Sequence, residues 1–317
     1  MPEPIRWRSK VILAEIEVTY GTDPTPAGDA NAMLLSDVEF RPMEGEDVPR
    51  NHEKPFLGAR ETIPAGLHGI LTASVELAPS GETGVAPAWG PLLRACGVAE
   101  VVTPDDNPGD GTVVYTPVSD EHESVTIHFW IGGTRHILTG CRGTGTVTVN
   151  AQGIPVFRAT LTGLYSTPTK TSQPTIDVSA FKRPLIATKT NTPTFKIDGV
   201  SFVLREFGFN LGNDVQQRLL IGRESIEIVD RAEQISARVE AVPLDTWDPF
   251  TEAETSSLVA VELVHGTSAG NRFKFEADHC LVQRLSGFEN SQNILEWPLA
   301  LVPQPAEGDD QWTITLT

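Results

Sequence analysis

The stretch Leu-Thr-Ala-Ser-Val-Glu-Leu-Ala-Pro at residues 71–79 decides the fold, because the chain contains it twice. Residues 235–243 read Ile-Ser-Ala-Arg-Val-Glu-Ala-Val-Pro, and this second copy begins 164 residues after the first. Apolar and polar side chains alternate in both copies, which is the period of a β-strand with one buried face. Each copy ends at a proline, which has no backbone N–H to donate to a sheet. The stretch therefore predicts a half-buried strand that occurs at the same place in two related units.

A second pair of matching segments follows in the same order. Residues 89–95 read Trp-Gly-Pro-Leu-Leu-Arg-Ala, and residues 247–253 read Trp-Asp-Pro-Phe-Thr-Glu-Ala. In the first segment apolar side chains recur at i, i+3, i+4 and i+7, the spacing of one helix face, and Gly97 is a typical residue after a helix end. These features predict a short helix at 87–97 and another around 247–254. The predicted core anchors of the two helices are Trp89, Leu92, Trp247 and Phe250.

Composition and repetition together predict the fold class. Short alternating runs separated by Gly, Pro, Asn and Asp indicate a mainly β protein, and 317 residues suffice for two cores. Self-similarity at a fixed offset indicates an internal duplication. We expect two tandem β-sandwich domains, each with one short α-helix, at residues 1–165 and 191–317. A linker rich in Thr, Pro and Ser is predicted between them at 166–190.

Residues 41–66 interrupt the first predicted domain as a long charged loop without periodicity. It contains four prolines and the apolar pair Phe56-Leu57, which needs a partner surface. Loops of this length inside compact domains are usually functional or disordered. We predict an assembly arm, mobile in the isolated protein and ordered against another subunit; the alternative is an ordinary surface loop. The candidate arm residues are Glu44, Glu46, Asp47, Arg50, Phe56, Leu57 and Arg60. A shorter counterpart at 212–222 has no assigned role.

The net charge of −18 argues against a nucleic-acid-binding protein of the usual basic kind. No apolar run approaches the roughly 20 residues of a membrane-spanning helix. The N-terminal residues lack the apolar core of a secretory signal, so we expect synthesis and folding in a cytoplasm. Three cysteines cannot form a disulfide framework, and buried reduced thiols are expected.

The sequence contains no pattern typical of catalysis or metal binding. Among its seven histidines no pair has the helical spacing of a zinc site, and neither Cys-x-x-Cys nor Gly-x-Ser-x-Gly occurs. The glycine-rich residues 140–145 precede a predicted strand and lack the Lys-Ser/Thr of a phosphate-binding loop. We therefore predict no catalytic residue, no metal site and no cofactor.

Four stretches carry a resemblance to a known family. They are Ala-Pro-Ala-Trp-Gly-Pro-Leu-Leu-Arg-Ala-Cys-Gly at 86–97, Gly-Ile-Pro-Val-Phe-Arg-Ala-Thr-Leu-Thr-Gly-Leu-Tyr at 153–165, Leu-Val-His-Gly-Thr-Ser-Ala-Gly-Asn at 263–271 and Leu-Val-Pro at 301–303. In their order and extent they resemble the tail tube (major tail) proteins of long non-contractile phage tails, of the type found in Mu-like siphophages and prophages. Contractile-tail tubes, secretion-system tubes and pyocins share that fold.

The resemblance implies a structural virion protein of the phage tail, made in the host bacterial cytoplasm. Members with two fused copies are expected to form a homotrimeric ring with pseudo-sixfold symmetry. Stacked rings form a tube through which DNA passes without specific binding. The implied further partners are the tape measure, tail terminator and baseplate proteins, with no membrane. The alternating strands suggest a set of lumen-facing residues: Thr72, Ser74, Glu76, Ser236, Arg238 and Glu240.

A carbohydrate- or receptor-binding β-sandwich protein, from a tail tip or an adhesin, is the alternative function. Such a protein would need exposed aromatic platforms. The chain has only three tyrosines, and its two repeated tryptophans are predicted to face a core.

Overall fold

The computed structural model describes residues 4–106 and 109–317. The predicted first domain therefore includes residues 1–3 and 107–108, which lie outside the described part. About half of the chain is β-strand and only 4% is helix, in large antiparallel sheets. The prediction of a mainly β, sandwich-type fold with two short helices is confirmed.

Among residues 4–106 and 109–170 the structure has nine longer elements and one short strand. They are β1 (Lys10–Ile16), β2 (Ser36–Pro49), β3 (Thr62–Glu76), α1 (Gly90–Arg94), β4 (Val98–Thr103), β5 (Thr112–Pro117), β6 (Val125–Ile131), β7 (Thr134–Asn150), β8 (Val156–Tyr165) and β9 (Thr169–Lys170).

The second half contains eleven strands and one helix. They are β10 (Thr194–Ile197), β11 (Val200–Ser201), β12 (Leu204–Asn210), β13 (Asn213–Leu220), β14 (Arg223–Arg231), β15 (Gln234–Glu240), α2 (Pro249–Thr255), β16 (Leu258–His265), β17 (Phe273–Val282), β18 (Glu289–Ser291), β19 (Ile294–Pro303) and β20 (Thr313–Leu316).

The two halves repeat one order of antiparallel strand pairings. In the first half the order is β1, β6, β7, β8, β3, β2. In the second half it is β10, β16, β17, β19, β15, β12. In the chain α1 lies between β3 and β6, and α2 lies between β15 and β16. The repeated order supports the inferred duplication, while the division into two domains stays a prediction.

Strand pairing also joins the two halves. The end of β7 pairs with β12, and β5 pairs with β20 at the end of the chain. One hydrophobic cluster contains buried side chains of both halves, such as Phe157 and Phe209. The predicted linker packs along this body, since β9 pairs with β7 and Ala187 is buried. The halves therefore share a core and a sheet.

Both predicted loops are instead β-hairpins. In the region 41–66, β2 and β3 continue outward past the core and only residues 50–61 lie outside strands. The region 212–222 consists of β13 and the two-residue turn that leads into β14. Neither strand pair has a buried face along its whole length, so the apolar–polar alternation that would predict a strand is missing. The backbone hydrogen bonds between the two strands of a hairpin do not require that alternation.

The helices are shorter than predicted, and one predicted anchor is wrong. Trp89 is buried beside α1 and donates from Nε1 to the carbonyl of Ala78 at 2.8 Å. Trp247 is buried beside α2, in contact with Phe202. Phe250, however, is 43% exposed and is not a core residue. It lies in the first turn of α2 and contacts another exposed ring, Phe288, with ring centroids 6.4 Å apart.

Candidate functional site

One continuous sheet crosses the described part of the molecule and contains all six of the predicted lumen-facing residues. Its strands lie in the hydrogen-bonded order β2, β3, β8, β7, β12, β15, β19, β18. It passes from the first half to the second at the pairing of β7 with β12. We call its polar face, defined by the rows of residues given next, the polar wall.

The registers of these strands place residues in rows across the polar wall. Directly opposite residues of antiparallel strands project from the same face of a sheet. One row contains Ser74, Arg158, Thr146 and Asn210. The neighbouring rows are Thr72, Thr160 and Thr144; Glu76, Val156, Thr148, Gly208 and Ser236; and Asn150, Glu206 and Arg238. Glu240 follows Arg238 on the same face of β15, so the six predicted residues share one wall.

The opposite face of the same strands forms the core. On β3 the side chains of Leu71, Ala73 and Val75 are buried, and on β15 those of Ile235 and Val239 are buried. This alternation is the one read from the repeated stretch. A shift of register by one residue would move every polar side chain into the core, so burial of one face keeps the wall in register.

Ion pairs hold the arginines at the wall. Arg158 lies 3.5 Å from Glu39, and Arg238 lies 2.8 Å from Glu289. Arg205, beside the wall, donates from Nε to both carboxylate oxygens of the buried Glu296, which raises the pKa of Arg205. Glu206 also lies 3.9 Å from Arg238, whereas Glu76 and Glu240 form no ion pair within the described part of the chain. The wall is therefore acidic overall, and its cations already have anionic partners.

Several residues of the wall were missed by the sequence analysis. They are Glu39, Thr144, Thr146, Thr148, Arg158, Thr160 and Glu206. A signal existed in Thr-Gly-Thr-Val-Thr-Val-Asn at 144–150, which alternates polar and small or apolar residues. Alternation shows that a strand has two different faces, but it does not show which strands are neighbours.

The arm is the projecting part of the β2–β3 hairpin, and the predicted arm residues lie on it. Glu44, Glu46 and Asp47 are on β2, opposite residues 64–68 of β3. At the end of the two strands Arg50 Nη1 lies 2.6 Å from Glu61 Oε2, and both side chains are exposed. Arg60 donates to Asn51 Oδ1 at 3.3 Å. The Arg50–Glu61 ion pair therefore joins the ends of β2 and β3 just before the irregular tip of the hairpin.

The tip of the arm presents its apolar side chains to solvent. Phe56 is 68% exposed and Leu57 is completely exposed. Lys54 Nζ lies 6.0 Å from the centroid of the Phe56 ring, at the limit of a cation–π contact. An exposed apolar pair at the end of a projecting hairpin is the kind of feature that marks a contact with another protein.

The three thiols are unsuited to nucleophilic chemistry. All three cysteines are free and buried, and burial raises the pKa of the Cys96 and Cys280 thiols to about 12. Within 4–106 and 109–317, no group of three or more His, Cys, Asp or Glu side chains is arranged to hold a metal ion. None of the helices in that part of the chain is long and apolar enough to cross a membrane.

Comparison with known proteins identifies the family of this chain. A family model described as phage tail tube protein matches residues 7–313, which is nearly the whole chain. No curated protein matches the sequence. The family consists of structural proteins of the virion tail that assemble into a tube with other tail proteins. The extent of the match shows that this chain belongs to the phage tail tube protein family.

Proposed function

We propose that three copies of this chain close into a ring whose inner surface is the polar wall. The observation that carries this proposal is the sheet from β2 to β18, which spans both halves and has a polar face. Both of its end strands have one edge without a strand partner among the described residues. Open edges invite pairing with another chain, and a closed ring satisfies them all.

The number of strands fits a wide tube. Three sheets of eight strands make a barrel of about 24 strands, and adjacent strands lie about 4.8 Å apart. With the usual barrel tilt of about 35–45°, the backbone diameter comes to about 45–50 Å. Side chains on both sides of the lumen narrow this by about 10 Å. The channel is then wider than a DNA duplex and has no room for bulky loops, which agrees with the small polar residues of the wall.

The charge of the wall supports passage of DNA without binding. A free Lys or Arg would contact phosphate and release counterions, which holds the strand. In this wall the arginines are paired with glutamates, and unpaired carboxylates repel phosphate. The repulsion acts over about 8–10 Å at physiological ionic strength, which covers much of the gap between wall and duplex. DNA would therefore slide along the channel.

Rings would stack through the arm, with Phe56 and Leu57 inserted against the neighbouring ring. A buried aromatic residue within a polar rim is the usual arrangement of an interface hot spot. Tape measure, tail terminator and baseplate proteins are the expected partners at the ends and interior of the tube. Synthesis in the host bacterial cytoplasm is the expected starting point of assembly.

Electron microscopy of the purified protein tests this function directly. Negative stain distinguishes tubes, rings and monomers, and class averages of end views count the subunits. We expect rings of three chains with six similar lobes, and tubes at high protein concentration. A protein that stays monomeric at every concentration and ionic strength would contradict the proposal.

The repeated aromatic side chains do not support the carbohydrate- or receptor-binding alternative. Trp89 and Trp247, the aromatic side chains that the repeat contains, are both buried and cannot stack on a sugar. Family membership points to the tube instead.

A further inference from the structure

The junction between the two halves of one chain has two parts. In the first part, β12 of the second half pairs with the end of β7 in the first half. In the second part, the β13–β14 hairpin of the second half packs over the end of α1. Asn213 Nδ2 donates to the carbonyls of Cys96 and Gly143 at 2.6 and 2.9 Å, and Arg231 Nη2 donates to Gly97 at 2.6 Å. The carbonyls at the end of α1 are thereby hydrogen-bonded by another part of the chain.

The hairpin also fits the side of the first half. The backbone N–H of Ile226 donates to the Tyr20 hydroxyl at 2.6 Å, and Arg142 Nη1 donates to the Ile226 carbonyl at 3.1 Å. Ile226 and Ile228 are buried in this contact. The base of the hairpin and one face of β14 are therefore packed against the first half, while the turn of the hairpin is exposed.

The corresponding place on the second half is empty. Residues 254–256 at the end of α2 are exposed, whereas the end of α1 from Ala95 to Val98 is buried. In the first turn of the same helix Phe250 contacts Phe288, and Phe288 is 62% exposed. The strand at this edge, β18, pairs only with β19 among the described residues.

The first half has the matching elements, and they too are unused. The free edge of β2 corresponds to β12, and the β2–β3 hairpin corresponds to β13–β14. In the β2–β3 hairpin Val48 lies opposite Ile63, and each of these side chains is about half exposed. One chain therefore has an uncovered β2 edge and hairpin at one end of its sheet. At the other end it has an uncovered β18 edge and helix end.

We propose that β2 and the base of the arm of one copy dock on β18 and the end of α2 of the next copy, as β12 and the β13–β14 hairpin dock inside the chain. This inference rests on the proposed ring and identifies its interface. Because the two contacting surfaces are different, the contact is heterologous, and it gives a ring when the rotation between successive copies closes after three of them. Each ring would then contain three internal and three intermolecular junctions of the same construction.

The internal junction also fixes the register of the intermolecular one. Within the chain, Glu206 lies opposite Arg238 on one side and Asn150 on the other. Ser74 corresponds to Arg238 at the repeat offset, and Ser36 lies opposite Ser74, so Ser36 takes the place of Glu206. Asn150 is the last residue of β7 before the turn into β8, and Ser291 is the last residue of β18 before the turn into β19. Ser36 of one copy is therefore opposite Ser291 of the next.

Disulfide cross-linking tests this register. Opposite residues of antiparallel strands have Cα atoms about 4.5–5.5 Å apart, within the range that a disulfide spans. The three native thiols are buried and do not compete. Under mild oxidation the double variant S36C/S291C should give at least about tenfold more linked chains than S36C or S291C alone, and the linked series should end at trimers. The variant N150C/E206C, with the same geometry inside one chain, is the matched control, and it should oxidise without linking chains.

The possible failures are distinguishable. If microscopy shows rings of the double variant but its chains do not link, the proposed interface is wrong and the ring remains. If S36C alone links efficiently, the contact is two-fold and the heterologous junction is wrong. If neither wild type nor variants form rings, the proposed function fails first. Hydrogen exchange of the wild type needs no substitution: assembly should protect amides in 36–40 and 289–291, and unchanged exchange there in assembled rings would overturn the interface.

Discussion

The two helices have the same place in the repeated topology but very different surroundings. The end of α1 is buried beneath the β13–β14 hairpin, and Leu92 is 3% exposed. The end of α2 is open, and Phe250, which stands at the position of Leu92 in the shared Trp-x-Pro-(Leu/Phe) pattern, is 43% exposed. The residues that follow α1 accept hydrogen bonds from Asn213 and Arg231 of the second half, whereas residues 254–256 at the end of α2 are exposed.

One chain therefore contains a formed junction, where β12 and the β13–β14 hairpin contact the first half. It also contains an unformed junction, where the outer edge of β18 and the end of α2 have no such contact among the described residues. The formed junction shows which surfaces of the repeated unit are complementary. The unformed one leaves an edge strand and an apolar pair in solvent, which monomeric proteins usually avoid. The following predictions are ordered from the largest expected effect to the smallest, and each tests whether the two halves differ only in having a neighbour.

Shortening the arm should have the largest effect on assembly. Replacing residues 50–61 with Asn-Gly gives the β2–β3 hairpin a two-residue turn like that between β13 and β14. We expect rings to form but tubes to be lost, because the tip reaches the next ring. The melting temperature should change by less than about 2 °C, since the tip is exposed and contributes little to the fold. Full-length tubes from this variant would show that stacking depends on other loops.

A single substitution at the tip of the arm should give a smaller loss of tube growth. Phe56→Ala should slow tube growth and lower the yield of tubes without a measurable change in melting temperature, because an interface anchor loses its contact only in the assembled state. Light scattering during assembly measures the growth. Leu220→Ala, at an exposed position next to the turn of the other hairpin, is the control and should grow tubes at the wild-type rate.

The two repeated tryptophans should contribute alike to the stability of the monomer. Trp89→Ala and Trp247→Ala should each lower the free energy of unfolding by about 3–5 kcal/mol, because both side chains are buried. Urea titration followed by circular dichroism measures this loss. Trp→Phe should separate them: Trp89 hydrogen-bonds Ala78, whereas the buried Nε1 of Trp247 has no partner among the described residues. The cost should be about 1–3 kcal/mol higher at Trp89 than at Trp247.

Leu92 and Phe250 should behave oppositely although they match in the repeat. Leu92→Ala should cost about 2–5 kcal/mol in the monomer, as expected for a buried leucine. Phe250→Ala should cost only about 0.5–1 kcal/mol in the monomer, yet reduce the fraction of rings in sedimentation velocity experiments. Equal losses of monomer stability at the two positions would mean that α2 is packed like α1 and that the comparison is mistaken.

The smallest effect concerns pH. Burial lowers the pKa of four histidine side chains in the folded chain, so the unfolded chain takes up protons first as the pH falls. The stability that these neutral side chains contribute is complete above about pH 6.5 and is lost as the pH falls below it. The residues are His122, His128, His136 and His265. Melting temperature should fall between pH 7.5 and 5.5, and His265→Asn should make the fall shallower. An unchanged slope would exclude His265 as a contributor.

The sequence by itself determined the local and repeated features of the protein. Alternation in the repeated stretch depends only on which side chains face a core, so it predicted the strands β3 and β15, although Ser74 among their polar residues is buried. The tryptophans were identified as anchors by the shared helix pattern. The resemblance in four stretches identified the family, which the match over residues 7–313 confirms. All of these depend on neighbours that are close in the chain or on a pattern that occurs twice.

Only the tertiary structure decided how the strands join and which repeated residues are covered. The pairing of β7 with β12 unites residues about 60 positions apart, and β5 pairs with β20 about 200 positions away. Alternation in one strand contains no information about its neighbour, so the continuous polar wall could not be read from it. The projecting parts of β2 and β3 and the strand β13 lack a periodic pattern because they have no continuous buried face, and they form by backbone hydrogen bonding. Phe250 is exposed although its apolar side chain predicts burial, because burial depends on which side chains pack around α2, and the local pattern does not specify them.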